Sequence, residues 1–156
     1  MTYSTIVAGV ADLDTDTAVL ERACTEAALH DATLLLVAGY DPVSARDRAR
    51  ATDAAPDVRL HETVLTEAEA YDVVERARDL ASDRGVAVVQ GVVVEGRAVP
   101  ALTLVALESQ ADLVVVGSQG VDTFTGRLFG AASVQVLRKS HCDVLVVVTK
   151  ASSRAS

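Results

Sequence analysis

Four stretches of this 156-residue chain are nearly unbroken runs of aliphatic residues: TLLLVAG at 33–39, VAVVQGVVV at 86–94, DLVVVGS at 112–118 and DVLVVVT at 143–149. A strand with one face in water alternates apolar and polar residues, so a run without alternation implies burial on both faces. Strands of that kind belong to a parallel sheet with helices packed over both sides. A shorter run, TIVAGV at 5–10, makes the first strand of five.

The segments between the runs carry helical spacing. In residues 16–30, Val19, Leu20, Ala23, Cys24, Ala27 and Ala28 form one stripe. Asp14 or Thr15 reads as its cap, and Asp16 suits the positive end of the helix dipole. Residues 64–84 place Leu65, Ala68, Tyr71, Val74, Ala77, Leu80 and Ala81 at helical intervals, and Gly85 ends the segment. Residues 97–109, with Ala101, Leu104, Val105 and Glu108 on neighbouring turns, and residues 130–140 complete four helices. Residues 40–63 have two prolines and no period; the part from 43 to 62 interleaves Arg with Asp and reads as a solvated flap. Strict alternation of strand and helix, with right-handed crossovers, gives an α/β, doubly wound five-stranded parallel sheet. It occupies one domain, residues 1–150, with a frayed tail at 151–156. Ligands of such sheets settle at the carboxyl ends of strands, where the strand order reverses.

Half the residues are hydrophobic, but aromatics are 3% and Trp is absent, so Ala, Val and Leu must fill the core. A net charge of −8 excludes nucleic acid or an anionic membrane as the main partner. A small anion held by a few oriented amides remains compatible with that charge. No apolar run reaches the ~20 residues of a membrane span. The start MTYSTIVAGV has no basic leader and enters a strand directly, so the expected setting is the cytoplasm. Cys24 and Cys142 read as buried small hydrophobes in a reducing compartment. His30, His61 and His141 are singletons, and only His141 has a neighbouring Cys, Cys142, which on a strand would point to the opposite face; both facts argue against a metal site. There is no G-x-S-x-G elbow and no P-loop, and neither HxGH nor SGGxDS occurs. The chain is not expected to be an enzyme.

One loop stands out. GSQGVDTFTGRLFGAAS, residues 117–133, leaves the fourth strand and enters the fourth helix. Gly117 and Gly120 let the main chain come close to a ligand or take positive φ, and Gly130 opens the helix. The unpaired amides of a first helical turn attract phosphate, and Arg127 adds a positive charge nearby. A plain turn with a helix cap accounts equally well for the glycine spacing alone.

The spacing G-x-x-G, nine residues, G at Gly117, Gly120 and Gly130 resembles the nucleotide-binding motif of the universal stress protein family. Further blocks are similar in the same order over about residues 4–149: TIVAGV, TLLLVAGY-DP, VVVEG, ADLVVVGS and SHCDVLVV. The resemblance implies strand order 3-2-1-4-5 and a homodimer joined through strand five. It implies that Gly117 and Gly120, flanked by Val116 and Ser118, bring main chain to the ribose and phosphates. Gly130 and the amides of Ala131, Ala132 and Ser133 would hold the phosphates. Val10, Ala11 and Asp12 at the end of strand one would flank an adenine together with Ala38 at the end of strand two, and Gly96 would lie on the adenine side after strand three.

Two departures from the family pattern bear on the ligand. ATP-binding members have Ser or Thr after the last motif glycine, where this chain has Ala131; losing one hydroxyl contact costs roughly 0.5–1.5 kcal/mol. Members also carry Asp directly after strand one, where this chain has Ala11 and the acid moves to Asp12. The acidic ligand for magnesium beside a triphosphate is therefore out of place. The implied cofactor is an adenine nucleotide: ATP, AMP or cyclic AMP. The alternative is a dimeric interaction module of the same family that binds no nucleotide.

Overall fold

The computed structural model describes residues 2–42, 64–118 and 131–149, with main chain only for 131–133. The expected flap at 43–62 and the tail at 151–156 lie outside the described residues. The elements are β1 (Thr5–Gly9), α1 (Leu13–His30), β2 (Thr33–Tyr40), α2 (Glu67–Asp83), β3 (Val88–Glu95), α3 (Ala98–Glu108), β4 (Leu113–Gly117), α4 (Ala131–Lys139) and β5 (Asp143–Val147). Every strand pair is parallel, and the order is β3-β2-β1-β4-β5. Val7 sits between Leu35 on one side and Val114 on the other.

Successive strand residues face opposite sides of the sheet, which divides the core in two. Ile6, Ala8, Leu34, Leu36 and Val115 meet Leu20, Ala23 and Ala27 of α1 and Val73, Val74 and Ala77 of α2. Val7, Leu35, Val37 and Val114 meet Ala101, Leu102 and Val105 of α3 and Val136 of α4. The sheet is therefore doubly wound, with two helices over each face.

Burial on both faces holds for the three inner strands, but the edges depart from it. β3 is exposed or half-buried throughout, with Val88 47% exposed, and β5 is half-buried after Asp143. An edge strand has one partner and less helix above it, so apolar sequence alone does not place a strand at the centre.

The helices begin where side chains can hold their amides. The cap of α1 is Asp12, not Asp14 or Thr15: Asp12 Oδ1 accepts from the Asp14 amide at 2.9 Å. Asp31, at φ 54°, closes the other end. α2 starts with a reciprocal capping box, in which Thr66 Oγ1 accepts from the Glu69 amide at 3.2 Å and Glu69 Oε2 accepts from the Thr66 amide at 2.7 Å. The buried stripe of α2 is Ala70, Val73, Val74, Ala77 and Ala81. Ala68, Tyr71 and Leu80 of the expected stripe are exposed, as are Ala28 of α1 and Leu104 of α3.

Candidate functional site at the carboxyl ends of strands 1 and 4

The strand order reverses between β1 and β4. Their following helices go to opposite faces, the arrangement beside which ligands of such sheets settle. On the β1 side, the Val10 amide donates to the Val37 carbonyl at 2.9 Å, one residue past the strand. The next two amides, of Ala11 and Asp12, donate to Asp16 Oδ2 at 2.8 and 3.0 Å. The Asp12 carbonyl accepts in return from the Asp16 amide at 2.7 Å. Desolvation pushes the Asp16 carboxyl above the ordinary range, against the opposing pull of the two amides. The expected residues Val10, Ala11 and Asp12 thus form one corner pinned by Asp16. The sequence pattern shows Asp16 only as a first-turn acid, although a carboxylate four residues past a cap is a usable signal for this pinning.

Ala38, in β2, is buried in the α1/α2 core layer, 1% exposed. Beside it Gly39 and Gly96 meet backbone to backbone. A Cβ on Gly39 would stand 2.5 Å from the Gly96 carbonyl oxygen, and the Gly96 amide donates to the Tyr40 carbonyl at 2.8 Å. Gly96 has φ +130°. It turns the chain from β3 into α3 against the end of β2.

On the β4 side Val116 is buried in the α3/α4 core layer and Gly117 ends the strand. A Cβ at Gly117 would lie 3.0 Å from Val19 Cγ2 and 3.2 Å from Thr149 Cγ2, a tight fit that a larger residue would enter only if those side chains shift. Ser118 is 2% exposed. Its amide donates to the Val147 carbonyl at 2.9 Å, and its Oγ accepts from the Thr149 amide at 2.9 Å. That hydroxyl ties the end of β4 to the exit of β5, and nothing in the sequence marks Thr149 as its partner. Gly120, Arg127 and Gly130 lie outside the described residues, as do the side chains of Ala131, Ala132 and Ser133. The main chain of 131–133 is the first turn of α4. A helix crossing between parallel strands starts at their carboxyl ends, so this turn belongs to that end of the sheet.

A cavity of about 370 Å³ opens at Ala11 and Asp12, between the starts of α1 and α2. Leu65, Ala68 and Val73 supply apolar wall, Glu69 and Asp72 add carboxylates, and Arg76 is bound to Asp72 at 3.0 Å. A larger groove, about 780 Å³, lies further along α1 around Cys24 and Leu29, spanned by an Arg84–Glu21 ion pair at 3.2 Å. It contains no expected site residue. Cys24 is buried, and burial pushes its thiol up; Cys142 is only half-buried. Among the described residues no group of three His, Cys, Asp or Glu side chains could hold a metal ion. His30 faces Glu26 at 3.6 Å and stacks edge-on against Tyr3.

Comparison with known proteins bears on the whole of this architecture. The model of the Universal stress protein family matches residues 2–148. The universal stress protein Rv1636 of Mycobacterium tuberculosis is 34% identical over 147 residues, which are 94% of this chain and 97% of that one. Among solved structures, a universal stress protein in complex with cAMP aligns with a TM-score of 0.70 at 31% identity, covering 96% of this chain and 99% of its own. The universal stress protein of Archaeoglobus fulgidus in complex with dAMP aligns with a TM-score of 0.64 at 19% identity, over 94% of this chain and 99% of its own, and at that identity supports the fold alone. On the family match and the extent of these likenesses, the chain belongs to the universal stress protein family.

Proposed function

We propose that the protein binds an adenine nucleotide in the crevice between the ends of β1 and β4 and acts as a binding protein without robust catalysis. The observation that carries this reading is the 31%-identical relative, which was solved with cAMP and aligns over 96% of the chain. The glycine pattern at Gly117, Gly120 and Gly130 adds to it. In this reading the base lies against Val10–Asp12 and Ala38, with Gly96 on the same side. The phosphate lies at Gly120, Gly130 and the first-turn amides of α4, where the helix dipole favours an anion. Arg127 adds charge from the loop.

AMP and cyclic AMP suit this chain better than ATP. Ala131 removes a hydroxyl from the phosphate end. The nearest acid to the β1 exit, Asp12, holds the Asp14 amide as a helix cap, so magnesium has no dedicated acidic ligand there. Titration calorimetry with cyclic AMP, AMP and ATP tests the reading: saturable binding is expected, tighter for the monophosphates. No heat with any of the three at millimolar concentration overturns it. Phosphate release from ATP well above background would overturn the non-catalytic part.

The protein is further proposed to act in the cytoplasm as a homodimer joined through β5. The strand DVLVV is wholly apolar after its first residue yet only half-buried, and among the described residues it pairs with β4 alone. A second copy at that edge would cover it. No helix of the described residues is long and apolar enough to cross a membrane.

A further inference from the structure

The end of β4 holds β5 beyond its last residue. The Ser118 amide donates to the Val147 carbonyl at 2.9 Å, which carries the β4–β5 ladder one bond past Gly117. The following bond is made by a side chain: Ser118 Oγ accepts from the Thr149 amide at 2.9 Å. Ser118 is 2% exposed, so water does not compete for that hydroxyl. The C=O and N–H of a trans peptide point in opposite directions, and the chain has no cis peptide among its described residues. Val147 turns its C=O toward β4, so the N–H of Val148 points away from β4. Thr149 turns its N–H toward β4, so the C=O of Val148 points away as well. Both main-chain groups of Val148 therefore face the free side of β5, where no strand pairs among the described residues. Its side chain is 67% exposed. Ser118 in this way lengthens the open edge of β5 by one residue.

We infer that Ser118 couples the nucleotide site to the dimer: a nucleotide held at the end of β4 tightens the pairing of β5 with a second copy, and that pairing tightens the nucleotide. The inference rests on the reading above, both on a site that begins at Gly117 and on a dimer joined through β5. A ligand that takes main chain at Gly117 and Ser118 restricts those two residues. Ser118 passes the restriction to Val147 and Thr149 through its two hydrogen bonds, and Gly117 does so by contact, since a Cβ there would lie 3.2 Å from Thr149 Cγ2. Val148, fixed on both sides, then loses less conformational freedom when a second strand pairs with it. Linkage makes the effect reciprocal. Ser118 acts here through Thr149 and is a positioning residue.

Sedimentation equilibrium of the full chain, with and without saturating cyclic AMP, gives the dimer dissociation constant in each condition. Calorimetry on the same preparation shows whether the nucleotide binds. In the wild-type protein, cyclic AMP is expected to lower the dimer constant at least about fivefold. In Ser118→Ala, which still binds and still pairs, the nucleotide is expected to change that constant by less than about twofold. Each variant is compared with itself, so a weaker dimer as such cancels. Thr149→Val keeps the amide and the shape of the side chain and removes only a hydroxyl 3.4 Å from Ser118 Oγ; it is expected to keep the wild-type shift. A purely structural role for Ser118 would weaken the dimer alike with and without nucleotide and leave the shift intact. That result overturns the inference, as does a wild-type dimer constant that the nucleotide does not move. If Ser118→Ala does not fold, the wild-type protein still decides: its affinity for cyclic AMP is expected to rise as protein concentration passes through the dimer constant, and an affinity independent of concentration overturns the inference. A protein that takes up no nucleotide, or stays monomeric at every concentration, removes the reading above and this inference with it. Binding and pairing that ignore each other remove this inference alone.

Discussion

Asp16 illustrates what a single side chain does at the crevice, and its ionisation can be isolated. Desolvation raises its folded pKa above the unfolded value. Between the ordinary carboxylate range and that raised value the folded protein binds the extra proton. Asp16's contribution to stability is therefore largest in acid and falls as pH rises through the window. Asp16→Asn keeps the amide contacts and removes the ionisation. The wild-type minus variant difference in urea-unfolding free energy, measured across that window, is expected to decline with rising pH; a flat or rising difference contradicts the assignment. Glycines supply a second case. Gly39→Ala drives a Cβ to within 2.5 Å of the Gly96 carbonyl oxygen and is expected to cost about 1–3 kcal/mol, as overpacking does. Gly96→Ala meets no neighbour within 4 Å, so its cost is the strain of φ +130° alone, about 1–3 kcal/mol. Denaturant midpoints measure both. At this scale the sequence was only partly legible. DLDTD offers several residues able to cap, and the end of β1 decides which one does. Gly96 reads as a ligand-side glycine, and its contacts add a second demand, a turn against Gly39, that the sequence does not show.

Among the elements, α2 shows why periodicity finds a helix more readily than its buried face. Counting from the large residues Tyr71 and Leu80 adds exposed positions to a stripe whose Val74, Ala77 and Ala81 are buried, and it misses Ala70 and Val73; Ala70, Ala77 and Ala81 let the helix lie close to β2 and β3. Val74 then fills the space that a Cβ at Gly91 of β3 would need. Val74→Ala is accordingly expected to cost roughly 1–3 kcal/mol, while Tyr71→Ser, at a residue 54% exposed, stays within about 0.5 kcal/mol. Equal losses for the two in chemical denaturation would contradict this packing. The capping box at Thr66 is present in the sequence as T-x-x-E, but it sits past a stretch without period, and spacing alone starts the helix three residues early, at 64 rather than Glu67.

For the molecule as a whole, unbroken apolar runs separated by helical segments were enough to infer a doubly wound parallel sheet, while the order of its strands came from the family resemblance. Composition could not separate edge from centre: DVLVV at the edge is as aliphatic as LVVVG beside it. That excess at an edge has a physical consequence. Val148, 67% exposed just beyond β5, and Val134 and Leu137 on α4, 40% and 46% exposed, continue the apolar surface past the strand. Water is a poor neighbour for such a surface, and an unpaired strand edge is a template for another strand. If a second copy supplies that strand, folding and association are linked, and the melting temperature must rise with protein concentration. Sedimentation is then expected to give twice the 16.3 kDa chain mass, and Val148→Glu is expected to move the equilibrium toward the monomer. Ser118 adds a sharper test, because its hydroxyl holds the Thr149 amide and so the exit of β5. Ser118→Ala leaves that amide without its partner while sparing the strand itself, so it is expected to weaken the dimer about three- to tenfold, the effect of one hydrogen bond. A 16.3 kDa species at every concentration, with a melting temperature that does not change with dilution, would mean that β5 meets water and that its apolar character has another cause.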